Sequence, residues 1–302
     1  MQIWAVGGGK GGTGKSLVSN GLGIRLAERG CQVILVDADY GGPNQHTYCG
    51  LRKPASTLAH FFDRRMPLEE IAMETHIEGL RLIPGNVNSA NTDNFNTAQK
   101  QKLFRHIKQL RADHVILDLG AGTQYDVLDT FLLADVQVGV VAPDAMSIEN
   151  FYLFLKNVQY RLLCNVLSWT GLKERAKSVW RDRAEHGIST SRDWIVHLRT
   201  LSPEFSEVLN REHARLQPHI VLNQVREYRQ VEMGLAVESA VTKLFRIEAT
   251  YAGHIRYDTD LWQQFGRELP AISHGTASTL HQDLERVTEA ILDAKRRQEA
   301  SL

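Results

Sequence analysis

Short apolar runs alternate with helical patterns from the start of the chain. Residues 2–6, 33–36, 80–83, 115–117, 136–141 and 219–222 read as strands. Residues 15–29 read as a helix, with Leu17, Leu22, Ile24 and Leu26 among its apolar positions and Gly30 as its stop. Residues 98–110 read as another, with Leu103, Ile107 and Leu110 along one side. The strands are apolar throughout rather than alternating, so both of their faces are buried. Separated by helices, they predict an α/β fold: a doubly wound, mostly parallel sheet flanked by helices.

One stretch breaks this rhythm. After a helix starting near Ser147, roughly 60 residues pass without a strand signal. The segment at about 161–217 is charged and helix-rich, and it carries Trp169, Trp180 and Trp194. It predicts two or three helices inserted into a single domain spanning 1–302, with the tryptophans forming a small core of the insert. Near the C-terminus, Leu280, Leu284, Val287 and Ile291 recur at helical spacing. That narrow stripe predicts a closing helix docked on the sheet.

Composition excludes several classes. Hydrophobic residues make up 43% and charged residues 23% of 302, as in an ordinary globular protein. Lys plus Arg equals Asp plus Glu at 35 each, which argues against a broadly basic nucleic-acid-coating protein. No apolar run is long enough to cross a bilayer, and the first residues lack a basic leader. A cytoplasmic location is expected, with peripheral attachment at the inner face of the membrane as an alternative. Cys31, Cys49 and Cys164 form no C-x-x-C pair, so neither a disulfide framework nor a cysteine-held metal or iron–sulfur centre is expected.

The chemistry starts at Gly9-Lys10-Gly11-Gly12-Thr13-Gly14-Lys15-Ser16, which fits the phosphate-loop pattern between a strand and a helix. Its glycines let backbone N–H groups turn inward as an anion nest, and the helix behind aims its positive dipole end at the phosphates. Gly9, Gly11, Gly12, Thr13, Gly14, Lys15, Ser16 and Leu17 are the candidate nucleotide-binding residues. Lys15 is expected at the β- and γ-phosphates and the Ser16 hydroxyl on Mg²⁺. Asp37 and Asp118 end two strands, where the ligand crevice of an open parallel sheet lies, and join Ser16 as candidate metal-site residues.

Lys10 adds a second lysine to the loop. Residues 10–16 resemble the K-G-G-x-G-K-[ST] motif of MinD/ParA ATPases, and residues 36–40 resemble that family's D-x-D switch I. Residues 117–122 are similar to its switch II, and Gly41-Gly42-Pro43-Asn44 points to the MinD/FlhG branch. Residues 221–225 resemble the segment whose asparagine, here Asn223, reads adenine. Residues 253–258 resemble the loop beside the base, with Arg256 in place of the usual proline. The resemblance covers 1–160 and 218–270. It implies ATP and Mg²⁺ as cofactors and a homodimer that sandwiches ATP. Lys10 would then contact the partner's phosphates, Asp39 would position or deprotonate the attacking water, and both would join Lys15 as catalytic residues.

The implied function is a Mg²⁺-dependent ATPase switch acting in the spatial positioning or number control of a cellular structure, such as a division site or flagellum. An unidentified protein activator or cargo would dock, in one reading, on the insert. Two alternatives stand beside it. One is a ParA-like partitioning ATPase on DNA, for which residues 173–199 offer seven basic against four acidic side chains. The other is a nucleotide-binding regulator with little catalysis.

Overall fold

The computed structural model describes residues 1–51, 53–86, 97–259 and 278–300. The first half runs β1 (Gln2–Gly7), α1 (Lys15–Glu28), β2 (Val33–Ala38), α2 (Gln45–Tyr48), α3 (Leu58–Asp63), α4 (Leu68–Ile71), β3 (Met73–Glu74), β4 (Leu80–Ile83), α5 (Thr97–Ile107), β5 (His114–Leu119) and α6 (Tyr125–Leu133). The second half runs β6 (Val136–Val141), α7 (Ala145–Trp169), α8 (Lys173–Arg181), α9 (Ser191–Leu201), α10 (Pro203–Ala214), β7 (His219–Val225), α11 (Val231–Phe245), β8 (Thr250–Arg256) and α12 (Thr279–Ala300).

These strands make one sheet in the order β3-β4-β2-β5-β1-β6-β7-β8. Every pairing is parallel except that of β3 with β4. Residues alternate across the sheet. Ile3 and Ala5 belong to the core shared with α5, α6, α7 and α11, whereas Trp4 and Val6 belong to the core shared with α1 and α12. Leu280, Leu284, Val287 and Ile291 are all buried in the second core, so the first half of α12 is docked on the sheet. Its approach to α1 requires glycine: a Cβ on Gly21 would lie 2.5 Å from a Leu284 methyl.

The structure departs from the sequence reading in four places. Residues 253–256 belong to β8 rather than to a loop. Gly253 interrupts its pattern at φ 127° and hides the strand from a periodicity argument. β3 is only two residues long, too short to leave a pattern. The predicted insert boundary at 161 falls inside α7, which continues unbroken to Trp169, so the added helices are α8, α9 and α10.

The insert's core is also differently built. It consists of Leu162, Leu163, Val166, Leu167, Ala176, Leu198, Phe205 and Leu209, with Trp194 packed against it. The Trp194 indole N–H donates to Ala176 O at 3.0 Å, and its ring meets Trp180 edge-on. Trp169 is 61% exposed and takes no part. The aliphatic face of the end of α7, through Leu162, Leu163, Val166 and Leu167, supplies half of this core in place of a tryptophan cluster.

Candidate functional site

β1 lies between β5 and β6, so the loop after it opens at the carboxyl edge in the middle of the sheet. Gly12 and Gly14 adopt φ 78° and 88°, a left-handed backbone that costs glycine nothing. Gly14 also admits a neighbour: a Cβ there would stand 2.1 Å from Asn223 Nδ2. That amide donates to Thr13 O at 2.8 Å, and Gln224 Nε2 donates to Gly12 O at 2.7 Å. The end of β7 thus holds two of the loop's carbonyls.

A cleft follows, lined by Gly11, Gly12, Gly14, Lys15, Ser16 and Leu17 at one end. Asp39, Asn44 and Ala121 line it as well, together with Asn223 and Gln224 beside the loop and with Arg256, Tyr257 and Asp258. Lys15 is buried, and its ammonium donates to Lys10 O at 3.1 Å. Burial lowers its pKa, and the carboxylates of Asp118 and Asp39 oppose that shift. Thr13 is buried behind the wall, its hydroxyl on Lys10 O at 3.5 Å. Gly9 packs against α7, where a Cβ would meet Asn150 O at 2.0 Å. Lys10 does not line the cleft: its Nζ lies 3.3 Å from Asp144 Oδ1, just ahead of α7.

Beneath the loop, Asp37 and Asp118 are paired in register on β2 and β5, and both are fully buried. Burial, reinforced by Asp118 beside it, pushes the Asp37 carboxyl up to about 8. Burial also raises Asp118, and hydrogen bonds from Gln45 and the nearby Ser16 and Ser19 hydroxyls oppose that rise. Asp118 Oδ1 is buried without a hydrogen-bond partner. A hard divalent cation such as Mg²⁺ fits this donor set. It would neutralise two crowded carboxylates and take up the orphaned oxygen, with the Ser16 hydroxyl beside it. Among the described residues no cluster of three or more His, Cys, Asp or Glu side chains could hold a metal ion. A cation here would therefore rely on few protein ligands plus phosphate and water oxygens, as Mg²⁺ does.

Asp39 stands at the cleft wall. Its Oδ1 accepts from the Gly41 and Gly42 N–H groups, both at 3.0 Å, and packs on Gly120 of the opposite loop. The two loops that follow β2 and β5 therefore touch at this carboxylate.

Sequence reasoning missed Gln45. It is fully buried; its backbone N–H donates to Asp37 Oδ2 at 2.9 Å, and its side-chain amide donates to Asp118 Oδ2 at 2.8 Å and Ser16 O at 2.9 Å. One residue joins switch-like loop, metal-site carboxylates and helix α1. The only trace in the sequence is a polar residue directly after Asn44, which has no motif.

A family model described as an AAA domain matches residues 1–163, more than half of the chain. The chain belongs to that family. Within it the MinD/ParA-type P-loop ATPases are its relatives. The antiactivator FleN of Pseudomonas aeruginosa is 29% identical over 55% of this chain and 62% of its own length. The septum site-determining protein MinD of Synechocystis is 27% identical over 49% and 56%. The flagellum site-determining protein YlxH of Helicobacter pylori is 30% identical over 50% and 52%. The chain thus aligns with little more than half the length of these curated relatives. Among solved structures, the cell division ATPase MinD of Pyrococcus furiosus superposes with a TM-score of 0.63 at 19% identity, over 97% of this AAA-domain chain and 99% of that one. That likeness of fold reaches well beyond the matched family segment.

Proposed function

We propose that this chain is a Mg²⁺-dependent ATPase switch that pairs with a second copy around ATP and acts in positioning or counting a cellular structure. The observation that carries this reading is the division of labour between two lysines of one loop. Lys15 is turned inward under the phosphate nest, and Lys10 is held outside it on Asp144. A lysine held outside its own cleft supports a role at the phosphates of a neighbour. There it would neutralise charge that develops on the transferred phosphoryl group.

The geometry supports the following roles. Backbone N–H groups of residues 11–16 would cradle the phosphates, and Ser16, Asp37 and Asp118 would hold a divalent cation that supplies charge neutralisation for the phosphate oxygens. Asp39, at the wall between the two loops, orients the attacking water. Asn223 braces the loop, lines the cleft and is the residue proposed to read adenine. The names of the relatives place septum and flagellum positioning in this family, which supports a positioning role here. The insert helices α8–α10, with their own core, are the surface proposed for the activator or cargo.

Lys10→Ala is the test. The variant should bind ATP with wild-type affinity by fluorescence titration, remain monomeric with ATP in analytical ultracentrifugation, and lose phosphate release. A Lys10→Ala protein that hydrolyses ATP at the wild-type rate as a monomer removes the sandwich from the mechanism.

A further inference from the structure

The loop after β5 meets Asp39 at Gly120, where an added Cβ would lie 2.9 Å from the Asp39 carboxylate. At Tyr125 this loop becomes α6, and Gln124 ahead of it supplies no side-chain cap. The first turn of the helix is fastened from α7 instead. Arg161 forks onto Asp129, Nε to Oδ1 at 2.6 Å and Nη2 to Oδ2 at 2.7 Å. The same guanidinium lies over the Tyr125 ring, 4.5 Å from its centroid. Asn165, one turn further along α7, donates to Asp129 Oδ1 at 3.3 Å. Asp126 stands beside Tyr40 of the loop after β2; burial, with this carboxylate adding to it, holds the Tyr40 phenol above its ordinary value.

Tyr125 and Asp129 are one turn apart and share a face of α6. A planar guanidinium that meets a carboxylate edge-on and a ring face-on has one position. Arg161 and Asp129 expose only 24% and 21% of their side chains, so water screens the pair less than it would a surface pair. Arg161 also stands at a boundary. Val158 before it belongs to the sheet core, and Leu162 and Leu163 after it belong to the insert core. Leu132, near the other end of α6, packs on both cores. Helix α6 therefore joins the loop at Gly120 to the insert at two points.

We propose that Arg161 is a positioning residue that regulates hydrolysis from the insert. By clamping the first turn of α6 to α7 it sets the loop of Gly120 against Asp39, and it ties that loop to the packing of the insert core. A partner seated on the insert then changes turnover without touching the nucleotide. The proposal rests on the ATPase reading above.

The test is single-turnover phosphate release from the full chain at saturating Mg²⁺-ATP, beside fluorescence titration of ATP affinity. Arg161→Met, similar in length but uncharged, should slow release about tenfold, as slight misplacement of a catalytic group does. Its ATP affinity should stay within about twofold of wild type. Arg161→Lys should behave in the same way, because it restores the charge and not the fork. Hydrogen exchange in Arg161→Met should quicken at residues 120–126 and stay as in wild type at 11–16, whereas a residue that only stabilised the fold would move both segments together. Leu198 lies in the insert core and does not line the cleft. Leu198→Ala should slow release in the wild-type background and slow it no further in Arg161→Met, because the effect passes through the clamp. Leu198→Val takes its place if Leu198→Ala does not fold. A wild-type release rate in Arg161→Met or in the Leu198 variant, an equal fall in ATP affinity, or losses that multiply in the double variant overturn the proposal and leave the ATPase standing. A wild-type chain that releases no phosphate removes the ATPase reading and the proposal together.

Discussion

Asp37 and Asp118 face each other across β2 and β5, and Gln45 is hydrogen-bonded to both, by its backbone to one and its side chain to the other. Two buried carboxylates in register repel. Without a cation the cheaper state holds a proton between them, and burial beside Asp118 pushes Asp37 up to about 8. The pair is therefore a site whose charge is completed from outside.

Stability of the ligand-free protein should depend on this proton. The folded-state value of Asp37 lies above the ordinary carboxylate value, so the folded state holds a proton that the unfolded chain releases. The stabilisation is complete below about pH 4 and is lost as pH rises towards 8 and beyond. Between pH 6 and 9 the melting temperature of wild type in EDTA should fall, whereas that of Asp37→Asn should change less. Saturating Mg²⁺-ADP should flatten the wild-type slope. Parallel slopes for the two proteins would show that Asp37 does not carry the proton.

Gln45→Leu removes three side-chain donor contacts and leaves Asp118 Oδ2 and Ser16 O buried without them. Unsatisfied buried acceptors cost about 1–3 kcal/mol each, so a loss of about 2–4 kcal/mol is expected in urea titration. The Mg²⁺ concentration needed for half-maximal nucleotide binding should also rise. Loss of stability at unchanged Mg²⁺ dependence would confine Gln45 to packing.

Gly14→Ala combines a left-handed backbone with a Cβ 2.1 Å from the Asn223 amide. The backbone term alone is about 1–2 kcal/mol, and displacing Asn223 breaks its bond to Thr13 O. Melting temperature should drop and ATP affinity should fall at least tenfold, read by thermal scanning and fluorescence titration. Gly42→Ala, where nothing lies within 4 Å of an added Cβ, is the control and should bind ATP as wild type does.

Asp144 both pairs with Lys10 and caps α7 by accepting the Ser147 N–H at 2.9 Å. Asp144→Ser keeps the cap and removes the charge. The ion pair is half exposed, so its loss should cost no more than about 0.5–1 kcal/mol. Freed from this partner, Lys10 should favour the ATP-dependent pair. Sedimentation at several protein concentrations should show the dimer forming at lower concentration than in wild type, and an unchanged or weaker dimer would separate the Lys10–Asp144 contact from assembly.

The sequence by itself determined the phosphate loop, the parallel sheet and the strand-end aspartates. Those features are local: glycine's backbone freedom, a run of buried aliphatics and a polar residue at its end are all written within a few positions. It did not determine that Asp37 and Asp118 share a register, that Gln45 bridges them, that residues 253–256 are a strand, or that Asp283 grips Arg256 from 27 positions away. Each of these depends on which segments become neighbours. That is settled by how strands order in the sheet and how helices cover it, and those energies are sums over contacts between residues remote in the chain. The added helices show the same limit. Their existence was legible from the missing strand signal, but their core was settled by the side of α7 that the sheet left uncovered.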